Sequence, residues 1–321
     1  MLTNKTWDVL STVDNPAHFS RFPAGIAHNA SDVVTTLNKV IDITCTPGSK
    51  EEQEARIRHQ AADNDPFAIC YCTSIPERLV IVSSILELVW IHDDVTEELE
   101  HKEACMKHNI LKDAMCLEKL VNAEIGQFNA RETIFGLLVQ KACTMDPKAA
   151  PKMVDTLSNY FQTYDSSDED FVSMDRYIPY RVAHGGYWMS SYLVRWGMDL
   201  TLSDEELELI KDFDFSMGAV MGLIDDYSSW NVEKDQETDR VRNAVRVLMT
   251  EYQVPDRVAK ALLKEIILDE EEKACRSKHK VLECYDSPPP EISQYFEAIE
   301  LYIGGCCYWH TTAPCYRVWK I

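Results

Sequence analysis

Two stretches of this chain end an apolar run in oxygen donors. Residues 221–233 read MGLIDDYSSWNVE, which puts Asp225, Ser229 and Glu233 at i, i+4 and i+8. On a helix these side chains form one stripe about 12 Å long. Carboxylate, hydroxyl and carboxylate are hard-oxygen ligands suited to a divalent cation such as Mg²⁺. Residues 89–98 read VWIHDDVTEE, where Asp93, Asp94 and Glu97 close a second apolar run and Asp93 and Glu97 share a face. Acidic groups at a helix C-terminus oppose the macrodipole. The preceding VIVSSILELVW commits this helix to the interior, so its last turn is expected to open into a cavity, where clustered carboxylates repel one another and invite a cation. Singly, each cluster has a plainer reading: a solvated helix end for the first, a capped end with Ser229 bonded back to a carbonyl for the second. If both ends meet at one rim, five or six oxygens face each other across a gap that divalent cations would neutralise. Mg²⁺ keeps coordination positions for phosphate oxygens and water, so the chemistry predicted is diphosphate binding.

Elements able to position such clusters are helical. The 321 residues include only 11 glycines and 13 prolines, strand-like alternation is hard to find, and apolar residues recur at helical spacing. The start signals predict helices beginning near Pro76, Asp113, Pro151, Tyr177, Ser203, Asp239, Pro255 and Pro290. Breaks are short, at TPGSK (46–50), DSSDED (165–170) and SPPP (287–290), so residues 1–321 are read as one domain. Lys+Arg 32 against Asp+Glu 53 gives a formal net charge of -21, which repels nucleic acid. With no basic-then-apolar leader and no run of 18 apolar residues, stable membrane insertion is not expected and a cytoplasmic location is. The 11 cysteines have no scaffold-like spacing and are read as reduced thiols. Cys105 and His108 form a CxxH without a second ligand pair, which argues against zinc.

The paired clusters, DDVTE at 93–97 and DDYSSWNVE at 225–233, resemble the two metal-binding motifs of class I terpene cyclases. More narrowly, IPERL (75–79), HDDVT (92–96), YIPYR (177–181), NAVRVLM (243–249) and GGCCYWHTTAPCY (304–316) resemble the cyclase domain of fungal bifunctional diterpene and sesterterpene synthases, the fusicoccadiene-synthase-like group. The resemblance implies an all-α helical bundle around a central apolar cavity and three Mg²⁺. Asp93, Asp94 and Glu97 would serve the metals on one side, and Asp225, Ser229 and Glu233 would hold the third. It also implies diphosphate contacts from Arg181, Lys234, Tyr316 and Arg317. His184 stands where the group has a linking aspartate, and Gly185 at a helix break that presents a carbonyl to the substrate. The C-terminal arginine-tyrosine pair of the group reads here as Cys315-Tyr316-Arg317, with the arginine displaced by one residue.

Ionising a prenyl diphosphate needs no nucleophile; it needs a dry cavity with aromatic faces to steady a carbocation. Phe67, Trp90, Trp188 and Trp309 are the expected pocket aromatics, although large aromatics at helical spacing also fill ordinary cores. The expected substrate is an isoprenoid diphosphate: geranylgeranyl first, geranylfarnesyl second, farnesyl third. Two other readings compete: a chain-elongating prenyltransferase, which should carry two DDxxD clusters, and a non-catalytic helical interaction protein. The bifunctional relatives carry a prenyltransferase domain after the cyclase. The chain is therefore expected to be a stand-alone cyclase, an associated or homo-oligomeric one, or a domain excised from such a fusion.

Overall fold

The computed structural model describes residues 5–97, 99–124, 126–163, 171–234 and 242–316. A three-residue antiparallel pair opens the chain, β1 (Trp7–Val9) with β2 (Gly25–Ala27), in the register Trp7↔Ala27. Strands this short have no room for a visible alternation and leave no mark in the hydropathy pattern. Every other regular element described is helical.

The first half runs α1 (Ala30–Thr44), α2 (Lys50–Arg58), α3 (Pro66–Cys70), α4 (Pro76–Thr96), α5 (His101–Ala114), α6 (Leu117–Val121), α7 (Ala130–Met145) and α8 (Ala150–Thr163). The second half runs α9 (Met174–His184), α10 (Tyr187–Gly197), α11 (Asp204–Leu209), α12 (Lys211–Glu233), α13 (Ala244–Tyr252), α14 (Asp256–Glu283) and α15 (Pro290–Thr312). No described helix is long and apolar enough to cross a membrane.

Two helices form the axis of the core. On α4 the residues from Leu79 to Val89 are buried almost without interruption, and on α12 the run Ser216–Ile224 is buried throughout. A helix that is apolar all round belongs in an interior. α4 packs against α1, α7 and α10, while α12 packs against α14, α15, α9 and α13. α10 touches both and bridges them.

Local chemistry fixes the ends. Pro76 occupies the first turn of α4, where its missing N–H costs nothing, and Ile75 N–H bonds Gly197 O at 2.8 Å. Ser203 and Glu206 make a capping box on α11, as Asn129 and Glu132 do on α7.

Several expected boundaries are corrected. Asp113 does not begin a helix; it lies in the last turn of α5, and an extended Cys116 separates that helix from α6. The helix expected at Tyr177 starts three residues earlier, after an extended Ser173. The one expected from Ser203 is two helices, α11 and α12, parted at Ile210. The start at Asp239 and the break at 165–170 lie outside the described residues.

Candidate active site

α4 and α12 both end at one cavity of about 330 Å³. Asp93, Asp94 and Glu97 line it from the first helix; Asp225, Asp226 and Glu233 line it from the second. Ser229 is buried just behind, within 3.4 Å of Asn243 Nδ2. Phe67, Trp90 and Trp309 also line the cavity, as a continuous aromatic wall: ring centroids lie 4.7 Å apart from Phe67 to Trp90 and 5.7 Å from Trp90 to Trp309. Trp188 is not part of it. It stands beside the buried Tyr187 at the start of α10 and is 45% exposed, on a separate surface depression.

Arg181 sits on α9 against the second acidic cluster. Its Nη2 bonds Asp225 Oδ2 at 2.5 Å, and its Nε lies 3.0 Å from Asp226 Oδ1 and 3.3 Å from the Gly222 carbonyl. Burial works against charge on Arg181, but Asp226 outweighs it and holds the guanidinium protonated. Asp226 is 1% exposed. It accepts hydrogen bonds from Tyr177 Oη at 2.7 Å and Ala244 N at 3.1 Å. Burial pushes its carboxyl up to about 7 despite the guanidinium. Glu233 is raised too, by burial and then by Asp225. Asn243 caps α13 through its Oδ1 while its Nδ2 donates to Glu233 Oε2 at 2.9 Å, which ties the start of that helix to the end of α12.

Less than two turns beyond the middle of α9 the chain breaks. α9 stops at His184, and Gly186 takes φ 75°, a left-handed conformation in which a side chain would also meet Tyr160. Gly185 and His184 line the cavity, and the His184 ring stacks on Tyr180 at 4.9 Å. Lys234 forms the exposed C-cap of α12 and does not line the cavity. Tyr316 closes a short 3₁₀ turn after α15, and Arg317 lies outside the described residues. His310, in the last turn of α15, does line the cavity: its Nε2 is 3.2 Å from Asp225 Oδ1 and its Nδ1 is 2.7 Å from the Cys306 carbonyl. Burial disfavours the imidazolium there, yet Cys306 and the Asp225 carboxylate more than offset it, and its pKa is pushed up to about 10.

The first acidic cluster is held by a buried network that local spacing does not reveal. Arg58 of α2 bonds Asp94 Oδ2 at 2.9 Å and Glu87 Oε1 at 3.0 Å. Glu87 in turn meets His59 Nε2 at 2.7 Å, and His59 Nδ1 meets Asp65 Oδ2 at 2.6 Å. Asp65 caps α3, accepting from Phe67 N and Ala68 N. Burial raises Asp94 to about 6, with Arg58 pulling the other way. Burial lowers His59, but Glu87 and Asp65 outweigh it and carry the imidazole up to about 9.

His59 thus holds its proton to about 9 when folded and releases it near 6.5 when unfolded. Its contribution to stability is complete below pH 6.5 and is lost as pH rises through 9. The shift corresponds to about 3 kcal/mol. The melting temperature should accordingly fall by about 5 °C between pH 6.5 and 9.5 in calorimetry. In His59→Gln that component of the slope should vanish; an unchanged slope would dismiss the network as its source.

Cys105 and His108 do not converge. His108 bonds His92 Nε2 through Nδ1 at 2.8 Å, whereas Cys105 faces His101. Among the described residues no three His, Cys, Asp or Glu side chains cluster tightly enough to hold a metal by themselves. Mg²⁺ typically takes one or two carboxylates and completes its shell with phosphate and water. The hard-oxygen donors at the two rims fit that use. Six carboxylates line the cavity against Arg58, Arg181, Arg242 and His310 among the described residues, an acidic balance that favours added cations.

The chain is 27% identical over 262 residues to fusicoccadiene synthase of Phomopsis amygdali, a match covering 76% of this chain and 35% of that one. It is 23% identical over 263 residues to a sesterterpene synthase of Colletotrichum orbiculare, covering 79% and 37%. The chain therefore spans about a third of the length of the curated relatives it matches. Among solved structures, aristolochene synthase from Penicillium roqueforti superposes with a TM-score of 0.76 at 17% identity, covering 93% of this chain and 99% of that one, a likeness of fold. Residues 84–273, which include both acidic clusters and the Gly185–Gly186 break, match the family described as terpene synthase family 2, C-terminal metal binding. With more than half its length inside that match, the chain belongs to terpene synthase family 2.

Proposed function

We propose that this chain ionises a linear isoprenoid diphosphate and cyclises the resulting carbocation, releasing diphosphate. Geranylgeranyl diphosphate is the first choice of substrate and geranylfarnesyl diphosphate the second, in line with relatives named as diterpene and sesterterpene synthases. One observation carries the reading: two acidic helix ends, about 130 residues apart in sequence, open onto one cavity with an aromatic wall.

In this reading Asp93, Asp94 and Glu97 hold Mg²⁺ at one rim, and Asp225, Ser229 and Glu233 hold it at the other. When bound, the metal supplies positive charge that stabilises the departing diphosphate. Arg181 adds a planar set of donors suited to phosphate oxygens. The buried Phe67 and Trp309, with Trp90 between them, keep water from the cation and present π faces to it. His184 and Gly185, at the end of α9, lie where the helix break meets the cavity. The second cluster has a serine at its fifth position instead of a DDxxD pattern, which favours cyclisation over chain elongation.

Incubation with fifteen-, twenty- and twenty-five-carbon prenyl diphosphates, with and without Mg²⁺, tests this directly. A cyclic hydrocarbon from the twenty-carbon substrate, appearing only with the metal, is expected. A longer linear diphosphate formed when isopentenyl diphosphate is added would establish elongation instead. No diphosphate release from any substrate would overturn the enzymatic reading.

A further inference from the structure

The Asp225 carboxylate is shared between two cationic side chains from different helices. Arg181 of α9 takes Oδ2, and His310 of α15 takes Oδ1 at 3.2 Å. His310 is itself fixed on the opposite side, with Nδ1 2.7 Å from the Cys306 carbonyl one turn earlier in its own helix. A carbonyl and a carboxylate can only accept, so both ring nitrogens are donors. Trp309 meets the imidazole edge-on at 5.1 Å between ring centroids, and the side chain is 8% exposed. The ring is held on three sides and presents a single N–H to Asp225.

Each Asp225 oxygen keeps a further lone pair, but two cationic partners already neutralise the carboxylate, so it holds a metal more tightly if one of them lets go. The two partners differ in what else they can do. Arg181 has several N–H groups and reaches the cavity, so it can transfer donors to an incoming phosphate. His310 has one cavity-side N–H, and its other is committed to the Cys306 carbonyl. We propose that His310 is the positioning residue of Asp225: it keeps Oδ1 and so aims the carboxylate, while Arg181 releases Oδ2 to the metal and turns to the diphosphate. Carboxylate ligands are commonly oriented by such outer partners, whose loss costs about 10- to 100-fold in metal affinity.

This inference rests on the function proposed above, and the test separates the two. Mn²⁺ is used as a spectroscopic stand-in for Mg²⁺, and its binding in the presence of inorganic pyrophosphate is followed by electron paramagnetic resonance on the full chain. The unaltered protein should bind the pair; failure to do so would sink the functional reading itself. His310→Ala should weaken Mn²⁺ binding about 10- to 100-fold, with a melting temperature close to that of the unaltered protein. His310→Gln, which can still donate one hydrogen bond, should recover part of the loss and covers the case in which the alanine variant does not fold. Unchanged Mn²⁺ affinity in His310→Gln and His310→Ala would overturn the positioning role. The decisive arm is the cycle with Asp225→Ala. If His310 acts through Asp225, adding His310→Ala in that background should change Mn²⁺ binding less than about twofold. A loss as large as His310→Ala causes in the otherwise unaltered protein would mean that His310 meets the anion directly, and the inference falls.

Discussion

Glu233→Gln is expected to reduce diphosphate release about a thousandfold while leaving the protein as stable as before, or slightly more so. The substitution is nearly isosteric, and the amide oxygen can still accept from Asn243 Nδ2, the 2.9 Å bond that ties α13 to α12. What disappears is a charge that burial and Asp225 both disfavour. Removing a carboxylate from a cluster of like charges relieves repulsion, so stability should hold or rise by about 1 kcal/mol. Loss of a metal-binding carboxylate removes stabilisation of charge that develops only as the diphosphate departs, and such losses run to about 10²–10³ in turnover. Steady-state release of diphosphate with thermal unfolding on the same sample checks both halves. Turnover within about tenfold of the unaltered protein, with helicity retained, would remove Glu233 from the metal site.

Much of the site could be read along the chain because its main parts are local. An apolar run that ends in Asp93-Asp94 or in Asp225-Asp226 marks the end of a buried helix, and the stripe at i, i+4, i+8 is a property of one helix. The break at Gly185 is what the resemblance implies, and the glycine beside it makes it possible: Gly186 takes the left-handed conformation. What stayed hidden is the set of side chains that hold the motifs from other elements. Arg58 is 36 residues from Asp94, and His310 is 85 from Asp225; only tertiary packing joins them. Asn243 opens NAVRVLM, a stretch marked by its likeness alone, although an asparagine before an apolar helix start is a cap signal. Trp188 shows the opposite failure. One residue on a helix turns the side chain by about 100°, so placing the start of α10 at Tyr187 buries that ring and leaves its neighbour exposed. The helices α1, α2 and α7 escaped although two of them announce themselves: Ser49 accepts from Glu52 N, and Asn129 and Glu132 cap each other.

Arg181→Ala should be the most damaging single change, because it breaks the structure and the chemistry together. The guanidinium is the cationic partner of Asp226, which is 1% exposed and, among the described residues, also accepts from Tyr177 Oη and Ala244 N. Leaving a buried carboxylate without its cation costs about 3–5 kcal/mol, which lowers the melting temperature of a chain this long by about 5–8 °C. Arg181→Lys separates the two contributions. An ammonium can still face Asp226, so most of the stability should return. It cannot span Asp225, Asp226 and the Gly222 carbonyl as the planar group does, and the fit is close: a methyl at Gly222 would stand 2.7 Å from Arg181 Cγ. Turnover in Arg181→Lys should therefore remain down by about 10²–10³ while unfolding is nearly normal. Adding Asp226→Asn to Arg181→Ala supplies the complementary result. With the buried charge removed, the melting temperature should recover by several degrees, and turnover should not. Full activity in the lysine variant would show that a point charge suffices at this position and that the planar, two-carboxylate geometry is incidental to the reaction.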